Sequence, residues 1–171
     1  PKQTYKDFSD LVLNANESLC MCDYHAERGI TEEVATRFKL GYIQDVKGMS
    51  TALVIPMLRA DGTYSYQLRN ISKEEPLQHY KPKVEEAGEA ELFNSAAIKQ
   101  NKPVAIVEGA IDALSVISAG MEAIALNGAM NTGKLYDLIQ KHKAKLPPIV
   151  LALDNDEAGR KAQKEIKDML D

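Results

Sequence analysis

Two stretches of this chain repeat one layout, and that layout constrains the fold more than anything else in it. After the breaker Lys102-Pro103, the apolar run Val104-Ala105-Ile106-Val107 ends in Glu108-Gly109, and Asp112 opens a helical segment that closes at Gly120. After Pro147-Pro148, the run Ile149-Val150-Leu151-Ala152-Leu153 ends in Asp154-Asn155-Asp156, and a helix begins at Glu157. A short continuous apolar run bounded by breakers suits a strand covered on both faces, as in a parallel sheet. Glu122-Ala123-Ile124-Ala125-Leu126 supplies a third run, and helices over Lys134–Lys143 and Glu157–Leu170 complete an alternation of strands and helices. Short connections between parallel strands imply right-handed crossovers.

This layout gathers chemistry at one place. Glu108, Asp154 and Asp156 each follow the C-terminal end of a buried strand, and open α/β sheets bind ligands at that edge. Clustered carboxylates raise one another's pKa unless a cation neutralises them. A hard divalent ion with oxygen ligands is the natural partner, and Mg2+ takes few carboxylates together with water and phosphate. Two other readings stay open at this stage. Asp156 also suits the N-cap of the last helix, worth ~1 kcal/mol, and Asp112 suits a first-turn acid facing a helix dipole.

Ahead of this region the texture differs. Residues 1–6 read as a loose lead-in, and Phe8, Leu11, Val12 and Leu19 give a partial helical spacing that Asn14-Ala15-Asn16 is expected to interrupt. A helix is expected over Ser18–Arg28, capped by Gly29, and another from the N-cap Thr31, with Glu32 and Glu33 in its first turn. Thr51–Met57 and Tyr64–Arg69 flank the turn signal Asp61-Gly62 and predict an antiparallel hairpin, with Pro56 at an edge or a bulge. Residues 70–92 read as a long polar loop.

Composition excludes little. With 171 residues there is room for one ordinary domain or two small ones, and 44% apolar and 27% charged residues are ordinary for a globular chain. No apolar run reaches the ~18 residues of a membrane span, and no secretory signal is visible, so a cytoplasmic protein with no membrane association is expected. Cys20 and Cys22 cannot make a four-ligand zinc site alone, and they read as reduced thiols. Net charge is −4, yet from Lys39 to Lys83 seven lysines and arginines face four acids. A solvated mixed-charge face and a local nucleic-acid surface both fit that bias.

Glu108-Gly109 with Asp112, followed by Asp154-x-Asp156 with Ala158-Gly159, resembles the TOPRIM domain shared by bacterial-type primases, topoisomerases and some nucleases. Tyr24-x3-Arg28-Gly29-Ile30-Thr31-x2-Val34-x3-Phe38-x2-Gly41-Tyr42 and the hairpin from Ile55-Pro56 to Arg69 resemble the start of the bacterial primase catalytic core. The resemblance implies an α/β fold: a TOPRIM-like parallel sheet flanked by helices over residues 99–171, and a small basic α+β lobe over residues 1–98. It also implies a further strand after the last helix, which the core here lacks, so that a fragment is expected rather than a protein with an abbreviated core. The family's loop lysine is displaced, with His79-Tyr80-Lys81 in its place, and the family's lysine after the Leu92-Phe93-Asn94 step is absent. The shorter loops suggest a phage or other mobile-element member.

What the resemblance implies about function is specific. Glu108 and Asp112 become catalytic, Glu108, Asp154 and Asp156 hold Mg2+ or Mn2+, and Arg28, Arg69 and Lys81 contact nucleotide or template phosphates. The expected partners are single-stranded DNA, ribonucleoside triphosphates and a replicative helicase reached through regions outside this chain. Neither a zinc ribbon nor a G-x4-G-K-[ST] phosphate loop occurs in it. Two other classes share the acids or the basic lobe: a metal-dependent TOPRIM nuclease, and a nucleic-acid-binding fragment with no chemistry of its own.

Overall fold

The computed structural model describes residues 4–72, 74–128 and 131–170. The chain divides into two compact units, residues 1–90 and 91–171.

The first unit is built on an antiparallel sheet in the order β1-β2-β3-β4, comprising Gly41–Val46, Met49–Leu58, Tyr64–Asn70 and His79–Tyr80. The predicted hairpin is β2 and β3, while β1 and β4 were not legible in the sequence. β1 is too mixed in polarity to show an alternation, and β4 spans two residues. Pro56 sits in a central strand, yet β1 pairs with β2 only as far as Val54. At Pro56 the strand therefore has a partner on one side, Tyr66 of β3, and the proline's missing donor costs no ladder bond on the other.

Helix α1 (Ser9–Glu17) runs straight through Asn14-Ala15-Asn16. Tertiary contacts override the local signal here. Ala15 is buried, and the Asn16 amide donates to the Leu40 carbonyl at 2.7 Å. Gly41 makes this approach possible, since a Cβ there would lie 2.6 Å from the Ala15 backbone carbon. The expected helix over Ser18–Arg28 is instead a 3-10 turn at Leu19–Met21 and a short α2 (Tyr24–Glu27). Cys22 adopts an extended backbone between them and is buried, which pushes its thiol pKa up. Both cysteines are free. Thr31 caps α3 (Glu32–Arg37) as expected, its hydroxyl accepting from the Val34 N–H at 3.3 Å. Of the expected lead-in, residues 1–3 lie outside the described residues. Lys6 is tied down by its N–H to the Glu86 carbonyl at 2.8 Å.

The polar stretch after β3 is pinned rather than loose. The buried Asn70 amide donates to Glu75 Oε2 and to the Leu77 carbonyl, both at 2.7 Å, while its oxygen accepts from the Ser72 N–H at 2.8 Å. A single turn of helix, α4 (Val84–Ala87), follows.

The second unit holds a parallel sheet in the order β6-β5-β7, comprising Glu122–Ala125, Val104–Val107 and Ile149–Leu151. Helices α5 (Ala110–Ser118), α6 (Thr132–His142) and α7 (Glu157–Leu170) flank it. All four residues of the central β5 are buried, which is why its sequence is continuously apolar rather than alternating. Ile106, Ile124, Leu126, Leu135, Ile139 and Ile166 form the middle of this core. Each such side chain contributes roughly 1.5–3 kcal/mol by leaving water.

The units divide between Ala90 and Glu91 rather than between 98 and 99. Phe93 bridges Ala125 beside β6, donating from its N–H at 2.9 Å and accepting at 3.2 Å. Leu92, Ala97 and Ile98 pack into the parallel-sheet core. Residues 91–98 thus belong to the second unit by hydrogen bonding and by packing.

Candidate active site

The site begins with strand direction. β5 and β7 are parallel and adjacent, so the acids that follow them emerge at the same sheet edge. Backbone bonds continue past the strand ends: Ala152 N–H donates to the Ile106 carbonyl at 2.9 Å, and Asn127 N–H to the Glu108 carbonyl at 2.8 Å. The backbone of Glu108 is therefore held by the sheet while its side chain is left for other work.

That side chain is in an unfavourable place for a lone carboxylate. Glu108 Oε1 is shut away from solvent with no hydrogen-bond partner, although the residue as a whole is only partly buried. Desolvation pushes its pKa up, and the charges of Asp154, Asp156 and Asp112 push it further. A hydrogen bond from the Asp154 backbone opposes the shift without cancelling it.

Gly159, in the first turn of α7, makes room for this group. A Cβ at 159 would lie 2.7 Å from Glu108 Oε1 and 2.0 Å from the Asp154 carbonyl oxygen. Only a glycine lets the helix start this close to both. The same turn is fixed by Asp156, whose Oδ1 accepts from the Gly159 N–H at 2.7 Å. Arg160 holds the intervening residue, donating from Nη1 to the Asn155 carbonyl at 2.9 Å and to its side-chain oxygen at 3.1 Å. The helix-cap reading of Asp156 is thus realised with one of its oxygens, and the other remains for a ligand.

Asp112 lies in the first turn of α5, with Oδ2 2.9 Å from where a Gly109 Cβ would stand. It folds back over its own helix start, as a dipole-complementing acid does. Its charge reaches Glu108 more weakly than those of Asp154 and Asp156.

The structure therefore brings Glu108, Asp154 and Asp156 into electrostatic contact, with Asp112 at the margin. Among the described residues, no three His, Cys, Asp or Glu side chains close into a group able to hold a metal ion. Asp156 is turned to its own helix, and Glu108 faces Gly159. The donor chemistry nonetheless fits a hard divalent cation. The ligands are carboxylates, one oxygen is buried without a partner, and none of Glu108, Asp154 and Asp156 is ion-paired among the described residues.

Arg28, Arg69 and Lys81 belong to the first unit. Arg28 is the exposed C-cap of α2. Arg69 on β3 faces His79 on β4, its Nη1 2.7 Å from His79 Nε2, and Lys81 follows two residues later. The structure thus groups Arg69 and Lys81 around His79. Gly159 and His79 entered the sequence reading only as parts of the motifs Ala158-Gly159 and His79-Tyr80-Lys81, with no role of their own, and Arg160 did not enter it. The arginine could have been sought in the helix start after Asp154-x-Asp156. A role for the histidine depended on a strand of two residues.

Comparison with known proteins bears on the fold. Residues 105–171 match the sequence-family model described as Toprim-like. No curated protein sequence matches the chain. Among solved structures, the zinc-binding and RNA polymerase domains of the Aquifex aeolicus primase superpose with a TM-score of 0.69 at 23% identity, covering 94% of this chain. The chain spans only 50% of the length of that protein. The primase fragment of the bacteriophage T7 primase-helicase matches with a TM-score of 0.63 at 24% identity, over 85% of this chain and 60% of that one. T7 primase domains bound to an RNA/DNA hybrid and dTTP, in complex with the lagging-strand polymerase, match equally well, over 85% of this chain and 73% of that one. Parallel sheet and family match agree: residues 105–171 are similar to a Toprim-like domain, in a chain that shares the fold of bacterial and phage primase fragments.

Proposed function

We propose that this chain is the catalytic-core portion of a DNA primase, synthesising short RNA primers on single-stranded DNA by metal-dependent nucleotidyl transfer. One observation carries the reading. Glu108 holds a buried, unpartnered carboxylate oxygen beside Asp154 and Asp156, at the ligand-binding edge of a sheet with the primase-fragment fold. A folded chain keeps such an arrangement at a cost in stability, which is expected where a cation completes it.

Mg2+ or Mn2+ bound there would neutralise nucleotide phosphates and lower the pKa of an attacking 3′-hydroxyl. Glu108 is the central ligand, Asp154 and the free oxygen of Asp156 complete the protein's share, and Asp112 tunes the charge. Arg160 and Gly159 hold the Asp154–Asp156 turn against Glu108. Arg28, Arg69 and Lys81 contact phosphates of ribonucleoside triphosphates or template. The likeness to a primase-helicase supports a helicase partner, reached through regions outside this chain. No helix among the described residues is long and apolar enough to cross a membrane, which accords with a replication enzyme working in the cytoplasm.

Two experiments test this reading. With Mn2+, a single-stranded DNA template and labelled ribonucleotides, the protein should extend RNA in a template-directed way. Cleavage of the template without incorporation would place it among the nucleases instead. Fluorescence anisotropy with a single-stranded oligonucleotide at several salt concentrations tests the basic residues. Arg28→Met and Arg69→Met should each weaken binding and lower the salt slope by about 0.7. Unchanged binding at every salt concentration would remove both residues from the interface.

A further inference from the structure

Arg69 and His79 are register partners across β3 and β4, and their side chains meet at 2.7 Å. A guanidinium can only donate, so His79 Nε2 accepts, and the ring is neutral with its proton on Nδ1. Partial burial lowers the His79 pKa, and the charges of Arg69 and then Lys81 lower it further. The other groups around β4 do not offset this. Tyr66 of β3 packs on Tyr80 at 6.2 Å, and its phenol pKa is pushed up to about 12, chiefly by burial. The Lys47 ammonium stands 5.3 Å over the Tyr80 ring, and successive strand residues face opposite sides, so it lies on the face away from His79. Of the two carboxylates of the preceding loop, Glu74 and Glu75, Glu75 is committed to Ser50 and Asn70, and the charges that act on His79 are those of Arg69 and Lys81. Arg69 Nε is buried and has no hydrogen-bond partner. Cations are thus gathered around a histidine that the fold keeps neutral.

We propose that Arg69, His79 and Lys81 form a phosphate-oxyanion site in which His79 gains a proton as the anion binds and becomes its third cationic ligand. This deepens the reading in which Arg69 and Lys81 contact phosphates, and rests on it. A dianion within reach reverses the local field, and an opposite charge at such range raises a histidine pKa by about 1–3 units. The proton comes from solvent to Nε2. That nitrogen then stops accepting from Arg69, and both the guanidinium and the imidazolium turn their donors to the anion. The bound state holds more protons than the free state, so affinity strengthens as pH falls between the bound and free pKa values of His79. Each unit of separation is worth about tenfold.

The protein's three histidines, His25, His79 and His142, make the test direct. Imidazole resonances are followed by NMR against pH, with and without saturating sulfate, which stays a dianion throughout. His79→Asn assigns the resonance. Sulfate should raise the His79 midpoint by about one unit or more while leaving His25 and His142 in place. Sulfate affinity should strengthen about tenfold per unit fall in pH within that window, and His79→Asn should abolish the dependence. A midpoint that stays or falls on adding sulfate overturns the proposal, as does full pH dependence in His79→Asn. Oligodeoxythymidine and a ribonucleoside triphosphate, each without divalent ion, separate the two sources of phosphate. A raised midpoint with either supports the site and names its ligand, and no shift with both overturns it. No metal is present and no turnover is read, so failure here leaves the carboxylate site standing, and failure there leaves this result intact.

Discussion

Glu108→Gln is expected to abolish RNA extension, by on the order of 10²–10³-fold or more, while leaving the metal-free protein at least as stable as wild type. The two effects have one cause. Burial and the charges of Asp154 and Asp156 raise the Glu108 pKa above its ordinary value. As pH rises between the ordinary and the raised value, the unfolded chain gives up its proton before the folded one does. Stability from this residue is therefore complete below the ordinary carboxylate range and is lost as pH rises through the raised value. The glutamine keeps the size and removes the charge, so the loss disappears. Thermal melts of both proteins at acidic and neutral pH, without metal, should coincide at low pH and separate in the variant's favour at pH 7. A variant that melts lower at pH 7 would mean that the Glu108 charge stabilises the fold, against this account.

Gly159→Ala should damage both stability and activity. The added methyl meets the Asp154 carbonyl oxygen at 2.0 Å and Glu108 Oε1 at 2.7 Å. The first is backbone and cannot swing aside, so the start of α7 must move. Overpacking of this kind costs about 1–3 kcal/mol. In a protein of this size that lowers the melting temperature by roughly 2–4 °C per kcal/mol. Because Glu108 and the Asp154–Asp156 turn are displaced together, RNA extension should fall with it even at temperatures where the variant is fully folded. Alanine at 133 is the control, since a Cβ there meets nothing within 4 Å. A Gly159→Ala protein as stable and active as wild type would show that the close approach is not required.

The parallel sheet was legible because its strands are continuous apolar runs that breakers delimit; the central β5 is buried throughout, whereas β7, expected to be buried too, is an edge strand with Val150 exposed. Glu108 and Asp154 were legible for the same reason, since each directly follows such a run, and Asp156 stands two residues beyond Asp154. The long helix α7 was found to within a residue because its pattern is strongly amphipathic. What escaped depended on contacts distant in sequence. Asn14-Ala15-Asn16 is helical because Ala15 packs on Gly41 and Asn16 reaches Leu40. β4 exists because His79 and Tyr80 pair with Arg69 and Leu68. The unit boundary falls before Glu91 because Phe93 pairs with Ala125. Within the candidate site, the positions of the acids could be read, while the turn of Asp156 toward Gly159 could not, because it depends on how α7 begins.

The central claim is that Glu108, Asp154 and Asp156 act together toward a divalent ion, and a Mn2+ titration tests it most directly. Free Mn2+ is followed by electron paramagnetic resonance in wild type and in a Glu108→Gln, Asp154→Asn double variant. Asp156 is left in place so that the cap on α7, with its 2.7 Å bond to the Gly159 N–H, stays intact. Wild type should bind Mn2+ and the double variant should bind it at least about tenfold more weakly, because two carboxylates of the site are gone. Equal binding by the two proteins would contradict the account and leave Asp156 as a helix cap alone.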